Sequence, residues 1–176
     1  MADVRPMVTA DTDAVVALLT HAFHDDPGIA IIEPEASRRD AASAAFFRPF
    51  LMASLDEATA AEVVGSSPIG AAIWYGPDRY GPSETGLAAA FGASQDTPMT
   101  PEAFGRLVGF VGQLDGLHAR LMSEERHHRL DFLGVDPAHQ GQGIGGQLLD
   151  AGIARAEAAR LPIYLETMRR DPHPTS

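Results

Sequence analysis

The sequence predicts a mixed α/β fold in which one central β-sheet is flanked by helices. Three observations carry this prediction. A strand, a helix and a second strand follow one another over residues 130–167, two apolar runs within residues 61–75 flank a turn, and apolar side chains at helical spacing recur elsewhere in the chain. Strands that alternate with helices are typical of a sheet covered by helices. The 176 residues are expected to form a single domain.

The N-terminal segment predicts one short strand and two helices. The strand covers residues 4–8, and Thr9 or Asp11 can cap the helix that follows it. The second helix is expected over residues 37–55, where aromatic side chains recur at helical spacing. Pro49 lies inside this stretch and is expected to kink or split the helix.

A hairpin and a helical insert are predicted next. Residues 61–64 and 69–75 flank the turn sequence Gly65-Ser66-Ser67-Pro68, which favours two antiparallel strands. Residues 77–126 are rich in Gly and Pro, and a helix is expected to begin near Thr100-Pro101-Glu102. We therefore expect a helical insert that covers the sheet.

The third segment predicts a strand over residues 130–135, a helix over 143–160 and a strand over 163–167. In such a unit the two strands are parallel, and the helix N-terminus lies at the carboxyl end of the first strand, where open α/β sheets bind ligands. The helix residues expected to face inward are Leu148, Leu149, Gly152, Ile153 and Ala156.

Composition and charge exclude several classes of function. The net charge is -11, and all 13 basic residues are Arg. Nucleic acid and anionic membranes are therefore not expected as partners, because they are held largely by clustered cations. The chain has no Cys, no secretory signal pattern and no apolar run of about 18 residues, which predicts a cytoplasmic protein without a membrane span.

A glycine cluster marks the start of the predicted helix at 143–160. Its closely spaced glycines let unpaired backbone N–H groups converge on an anion such as a phosphate. The NTPase phosphate loop is excluded because it needs a lysine. Residues 141–146 satisfy the dinucleotide pattern GxGxxG, with Glu166 about twenty residues further on, but residues 136–140 separate these glycines from the strand end.

A different pattern fits every specified position of this loop. Q/R-x-x-G-x-G/A after a strand that ends in Val-Asp-Pro matches Gln140, Gly143 and Gly145, and on these residues the sequence resembles the GNAT superfamily of acyl-CoA N-acyltransferases. The resemblance is strongest over residues 130–167. Residues 23–27 and 70–74 are similar to segments of bacterial members related to puromycin-type acetyltransferases.

The resemblance implies that acetyl-CoA is the acyl donor and that a small-molecule amine is the acceptor. The strand before the loop is implied to be bulged and to splay from its parallel neighbour, so that the pantetheine arm lies between them, and Gly134 suits a backbone that a ligand approaches closely. The acetyl-CoA-binding core spans about residues 128–167, and no metal is implied. The residues implied to bind acetyl-CoA are Leu133, Gly134, Val135, Gln140, Gly141, Gln142, Gly143, Ile144, Gly145 and Gly146.

Two carboxylates are candidate catalytic bases, since an amine must lose a proton before it attacks. Asp131 is placed by strand alternation on the face opposite Leu130 and Phe132, although a strand residue paired with a nearby Arg has the same pattern. Glu166 occupies a position that is a catalytic glutamate in some members of the family the chain resembles.

Several other side chains have plainer interpretations. His21 and His24 with Asp25 and Asp26 have the composition of a metal site, but also that of a polar helix end, which is favoured. Two further histidines, 127 and 128, are interpreted as solvent-facing or as hydrogen-bonded core residues. Trp74 with Phe46 and Phe47 is interpreted as core rather than as an acceptor pocket.

The resemblance weakens after Thr167. Residues 168–176 replace the last helix and two strands of a typical relative, and Asp171 stands near the position of a CoA-contacting Asn. The tyrosine that protonates the departing thiolate has no counterpart. The strand at 163–167 would then be an open edge, which predicts a homodimer through it. Three functions remain: an active acyltransferase, a catalytically weakened acyl-CoA-binding module and, third, a nicotinamide-dependent enzyme.

Overall fold

A computed structural model describes residues 3–93 and 99–168 and contains one five-stranded mixed sheet. The strands lie in the order β1-β2-β3-β4-β5. The first four pair antiparallel, and β4 and β5 pair parallel, which confirms the predicted fold class. The strands are β1 Val4–Pro6, β2 Ala60–Val64, β3 Gly70–Tyr75, β4 His128–Val135 and β5 Ile163–Leu165.

Helices cover both faces of this sheet. Helix α6 packs on strands β1 to β4 of one face, and α1 packs on β3 and β4 of the other with α3 against it. In the described part of the chain, no helix has the length and apolar character needed to cross a membrane. The helices are α1 Thr12–Ala22, α2 Pro27–Ile32, α3 Arg39–Glu57, α4 Glu84–Ala93, α5 Pro101–Met122 and α6 Ile144–Ala159.

Helix α3 is not split at Pro49, so of the two expected outcomes, a kink or a split, the split is wrong. It runs without interruption from Arg39 to Glu57 with the proline buried inside it. A proline removes one helical hydrogen bond and crowds the preceding turn. The neighbouring Phe46, Phe47 and Phe50 are all buried in the same core, and we attribute the continuity of the helix to this packing.

The insert is helical, as predicted, but it does not lie mainly on the sheet. Helix α4 packs against α3, and α5 packs against α2. The insert reaches the sheet region at Tyr80, which stacks on His127, and near the C-terminal end of α5, where the ring of His118 lies against those of His127 and Tyr164. The insert therefore packs mainly on other helices, and α5 lines the cavity across from β4.

Helix α6 covers a second hydrophobic cluster, which contains Trp74, Ile144 and Leu148. Trp74 is fully buried, and a Cβ at Gly152 would collide with its indole ring, so Trp74 is core, as interpreted. The buried face of α6 is narrower than expected, because its buried residues are only every fourth one: Ile144, Leu148, Gly152 and Ala156. Ile153 was expected to face inward and is 39% exposed.

A β-bulge interrupts β4 at Asp131. Leu130 pairs with Trp74 and Phe132 pairs with Ile73, so Asp131 is an extra residue between them. Leu130 consequently packs in the cluster under α6, whereas Phe132 packs against the aromatic side chains of α3 on the other face. The expectation that Leu130 and Phe132 share one face was wrong because regular alternation fails at a bulge.

Candidate active site

Strands β4 and β5 separate immediately after they pair. Their pairing begins at His128 with Ile163 and ends at Leu130 with Leu165, although β4 continues to Val135. Within the described residues, the part of β4 after the bulge pairs with β3 alone. The splayed and bulged strand implied by the resemblance is therefore present.

A cavity of about 800 Å³ opens at this separation. It brings together residues that lie far apart in the chain. The end of β4 contributes Leu133, Gly134 and Val135, and the loop after it contributes Gln140. Both candidate bases, Asp131 and Glu166, line the same cavity. Its opposite wall comes from the helices, with Phe46, Phe47, Phe50, Phe110 and Leu114.

The glycine loop leads into α6 with two residues in the left-handed region. Gly141 has φ +75°, and Gly143, the N-cap of α6, has φ +79°. A Cβ at either position would meet nothing within 4 Å, so glycine is required here by the backbone conformation and not by crowding. The open space over the loop leaves the first-turn N–H groups of a 16-residue helix accessible to an anion.

Hydrogen bonds fix the segment between β4 and the glycine loop. The N–H of Ala138 donates to Asp136 Oδ1 at 2.8 Å, and the N–H of Asp136 donates to the carbonyl of Ile69 at 3.0 Å. The side-chain amide of Gln140 donates to the carbonyl of Val135 at 3.3 Å. Gln140 therefore helps to hold the loop at the end of β4.

Gly134 has a reason for being glycine that the sequence did not suggest. A Cβ there would lie 2.6 Å from Leu19 Cδ2 and 3.5 Å from Ala22 Cβ, both on α1. Helix α1 approaches the strand so closely that a side chain does not fit. The glycine is thus explained by packing of α1, and the expectation of a ligand is not needed to account for it.

One guanidinium joins three carboxylates on the floor of the cavity. Arg129 lies 3.5 Å from Asp115, 3.6 Å from Asp131 and 3.8 Å from Glu166, and it donates to the carbonyl of Tyr80 at 3.0 Å. Its side chain is 12% exposed. The buried guanidinium therefore holds the two candidate bases near each other, although Asp131 lies in β4 and Glu166 in the segment after β5.

Asp131 is a buried carboxylate with an unsatisfied atom. Its side chain is 10% exposed, and among the described residues Oδ2 has no hydrogen-bond partner. Burial raises the pKa of Asp131 to about 6; Arg129 opposes this shift, while Asp115 and Glu166 add to it. The expected pairing with a nearby Arg exists, but the residue is not solvated. A carboxylate with this pKa accepts and releases protons near neutral pH.

Glu166 is held by two neighbours. The hydroxyl of Tyr164 donates to Glu166 Oε1, and Arg129 lies near Oε2. Burial raises the pKa of Tyr164 to about 12, with its bond to Glu166 acting in the same direction, so the phenol stays protonated. Glu166 therefore lines the cavity with its Oε1 already hydrogen-bonded to Tyr164.

A pair of histidines lies beside this cluster, and the sequence did not point to one of them. His127 is fully buried, stacks on Tyr80 at 4.1 Å between ring centroids, and lies with Nε2 2.7 Å from Nε2 of His118. The interpretation of His127 as a hydrogen-bonded core residue is confirmed. His118 lines the cavity from α5, nine residues away in the chain, and no motif marks it.

The remaining polar candidates have structural contacts. Asp26 caps α2 by accepting from the N–H of Gly28 at 2.8 Å, and His24 lies 2.7 Å from Asp40. Over residues 3–93 and 99–168, no group of three His, Asp or Glu side chains is arranged to hold a metal ion. Asp171, which was placed near a CoA-contacting position, lies outside the described residues.

Comparison with known proteins decides the family. Residues 69–173, well over half of the chain, match the model of the acetyltransferase (GNAT) family. The chain belongs to the GNAT acetyltransferase family. The matched region contains β3, the bulged β4, the glycine loop, α6 and β5, and it includes the cavity-lining residues of β4, Gln140 and residues 165–168.

Solved structures show the same GNAT fold. A protein described as histone acetyltransferase HPA2 and related acetyltransferase, from Corynebacterium glutamicum, is 24% identical with a TM-score of 0.63, over 96% of this chain and 78% of that one. A putative acetyltransferase from Pyrococcus horikoshii is 18% identical with a TM-score of 0.55, over 96% and 81%. An apo mutant of agmatine N-acetyltransferase is 17% identical with a TM-score of 0.50, over 93% and 74%. At these identities the likeness concerns the fold.

Proposed function

We propose that this GNAT protein is an N-acetyltransferase that transfers the acetyl group of acetyl-CoA to the amine of a small molecule, by direct attack in a ternary complex. One observation carries the proposal. A single cavity contains both the end of the splayed strand, residues 133–135, and the buried carboxylate of Asp131, which is ionisable near neutral pH. The proposed binding site for acetyl-CoA and the proposed proton acceptor, Asp131, therefore lie in the same cavity.

The donor side is assigned to backbone groups. The open N–H groups of residues 141–146 suit the pyrophosphate of acetyl-CoA, because they lie at a helix N-terminus where a Cβ at Gly141, Gly143 or Gly146 would meet nothing within 4 Å. The backbone of residues 133–135 pairs with β3 on one side and faces the opening on the other, which suits the pantetheine arm. The thioester supplies the acetyl group.

The acceptor side favours a cation. Asp115, Asp131 and Glu166 surround the single guanidinium of Arg129, so the ionised cluster carries an excess of two negative charges. Such a site attracts an ammonium group, and the net charge of -11 acts in the same direction. A small-molecule amine is therefore the proposed acceptor, and agmatine, after which one structural neighbour is named, is a reasonable first compound to assay.

Asp131 is the proposed base that takes the first proton from the amine. Burial raises the pKa of Asp131, and its Oδ2 has no hydrogen-bond partner among the described residues, so this carboxylate can take up a proton. Glu166 accepts a hydrogen bond from the hydroxyl of Tyr164. We assign to it the roles of holding Arg129 in place and binding the ammonium group of the substrate.

An assay of thiol release tests the proposal. Purified protein is supplied with acetyl-CoA and a panel of amines, and calorimetry measures acetyl-CoA and NAD binding in parallel. Thiol release that requires both the amine and the protein is expected. Acetyl-CoA binding without turnover on any amine would instead favour the acyl-CoA-binding module, and preference for NAD would establish the nicotinamide alternative.

A homodimer through the sheet edge belongs to the same proposal. Strand β5 ends the sheet order, and Leu165 on it is 50% exposed. An edge strand presents backbone groups to which a second strand can pair. Light scattering at micromolar protein tests this, and a monomer would contradict it. We further propose a cytoplasmic enzyme that has neither nucleic acid nor a membrane as partner.

A further inference from the structure

The histidine pair forms a chain of hydrogen bonds that ends in the cavity. His127 Nδ1 lies 2.6 Å from the backbone carbonyl of Glu125, and His127 Nε2 lies 2.7 Å from Nε2 of His118. His127 has no exposed surface and is held by parallel stacking on Tyr80. His118, at the other end, lines the cavity together with Asp115 and Arg129.

The carbonyl at one end fixes the tautomer of both rings. A carbonyl oxygen can only accept, so Nδ1 of His127 carries the hydrogen, and in the neutral ring Nε2 of His127 carries a lone pair. Nε2 of His118 must then be the donor between the rings. In a neutral His118 the remaining nitrogen, Nδ1, therefore carries a lone pair. This is the form in which an imidazole accepts a proton.

The surroundings of His118 keep it neutral and ready to accept. Burial lowers the pKa of His118, and the nearby Arg129 and His127 lower it further, while Asp115 on the same helix raises it. The rings of Tyr80 and Tyr164 also face it, at 5.3 and 4.9 Å between centroids. Once His118 is protonated, Asp115 lies nearby as the carboxylate that stabilises the imidazolium.

The proposed acyl transfer requires two proton acceptors. An ammonium nitrogen has three N–H bonds and the amide product has one, so two protons must leave it. If Asp131 takes the first, a second group must take the other. We infer that His118 is the second proton acceptor of the reaction, held in the reactive tautomer by His127. This inference rests on the proposed N-acetyltransferase function.

Atoms and charge balance over the whole reaction. Asp131 takes one proton, and the freed lone pair of the amine attacks the thioester carbonyl to form the C–N bond. Nδ1 of His118 takes the second proton from the nitrogen, and the C–S bond breaks with its electron pair on sulfur. The thiolate takes up one proton and leaves as the thiol. The other proton is released to solvent, which restores Asp131 and His118.

Substitution of His118 tests its role in the reaction. His118→Gln keeps a donor toward His127 but cannot take up a proton, and we expect kcat to fall about 100-fold, as for loss of a general base, with the KM for acetyl-CoA changed less than about twofold. The acid limb of the pH profile should change from two ionisations to one. His118→Ala should regain turnover with added imidazole. His21→Gln, an exposed histidine outside the cavity lining, is the matched control and should keep the wild-type rate.

Nitrogen NMR of the wild-type protein tests the tautomer without any turnover. Histidine labelled with ¹⁵N should show His118 with its hydrogen on Nε2, and His127→Phe, which keeps the aromatic stack, should release this preference and lower kcat. A His118 with hydrogen on Nδ1 would overturn the inference, as would wild-type kcat in His118→Gln or a parallel loss of acetyl-CoA binding. A wild-type protein that acetylates no amine would instead refute the proposed function, while the tautomer result would stand by itself.

Discussion

The two ends of the cavity are built from different parts of the polypeptide. At the end proposed to bind acetyl-CoA, the open edge of β4 and the adjoining glycines 141 and 143 offer mainly backbone groups, which come from one continuous stretch of chain. At the end proposed for the acceptor, the side chains of Asp115, Arg129 and Glu166 come from α5, β4 and the segment after β5. The first end suits a donor common to a whole family, and the second end can change by single substitutions. Substitutions confined to one end should therefore leave the other end unaffected.

Asp131→Asn is expected to have the largest effect, and it acts on the acceptor end alone. We expect kcat to fall by about 100-fold or more, since general bases contribute about 10²-fold to 10⁴-fold, while acetyl-CoA affinity stays unchanged. In the wild-type protein, kcat/KM should rise as pH increases through about 6, where Asp131 loses its proton, and should level off above it. Steady-state kinetics across pH and calorimetry measure both. A loss of acetyl-CoA affinity as large as the loss of kcat would show that the two ends of the cavity do not act separately.

The same substitution should stabilise the protein. The pKa of Asp131 is raised from 3.8 to about 6, so the folded state favours the protonated acid and loses stability as pH rises through this window. At pH 8 we expect Asp131→Asn to raise the free energy of unfolding by about 2–3 kcal/mol, and at pH 4 by much less. Urea unfolding at the two pH values measures this. An equal gain at both would show that burial of charge is not the cause.

Gly143→Val tests the acyl-CoA end. A β-branched residue at φ +79° is strained by roughly 1–3 kcal/mol, and its side chain would occupy the open space above the loop. We expect acetyl-CoA affinity to weaken on the order of 10- to 100-fold, with the pH at which kcat/KM rises unchanged. Calorimetry and the pH profile measure the two quantities. A normal affinity would remove the loop from the donor site.

Glu166→Gln should have a smaller effect than Asp131→Asn, because Glu166 is already bonded to Tyr164 and paired with Arg129. We expect kcat to fall about tenfold or less, since hydrogen bonds to charged groups contribute about 1.5–3 kcal/mol and glutamine keeps part of this contact. Acetyl-CoA affinity should not change. A loss as large as that of Asp131→Asn, in matched assays, would exchange the roles assigned to the two carboxylates.

Gly109→Ala is the smallest change and a control for Gly143→Val. Gly109 is exposed within α5, and a Cβ there would meet nothing within 4 Å. We expect a gain in unfolding free energy of about 0.5–1 kcal/mol from helix propensity, with unchanged acetyl-CoA affinity. Thermal unfolding and calorimetry check it. A loss of affinity here would mean that any glycine substitution disturbs the donor site indirectly.

The two ends also differ in how far the sequence could predict them. The glycine loop, its helix and the parallel strand pair are local features, so residues 130–167 sufficed to predict them. The contact of His118 with His127 could not be predicted, because it depends on where α5 packs. The bulge at Asp131 could not be predicted either. The expectation that side chains alternate between the two faces of a strand assumes that the strand contains no extra residue.

The bulge also determines how easily the proposed base could be gained or lost in evolution. Leu130 and Phe132 pair with the adjacent residues Trp74 and Ile73, so a strand without Asp131 would continue the ladder in register. Both buried faces would keep their side chains. A deletion of one codon could therefore remove the carboxylate and leave the rest of the sheet intact, and an insertion at the same place could restore it. Among homologous chains, the length of β4 at this point would then distinguish members with this base from those without it.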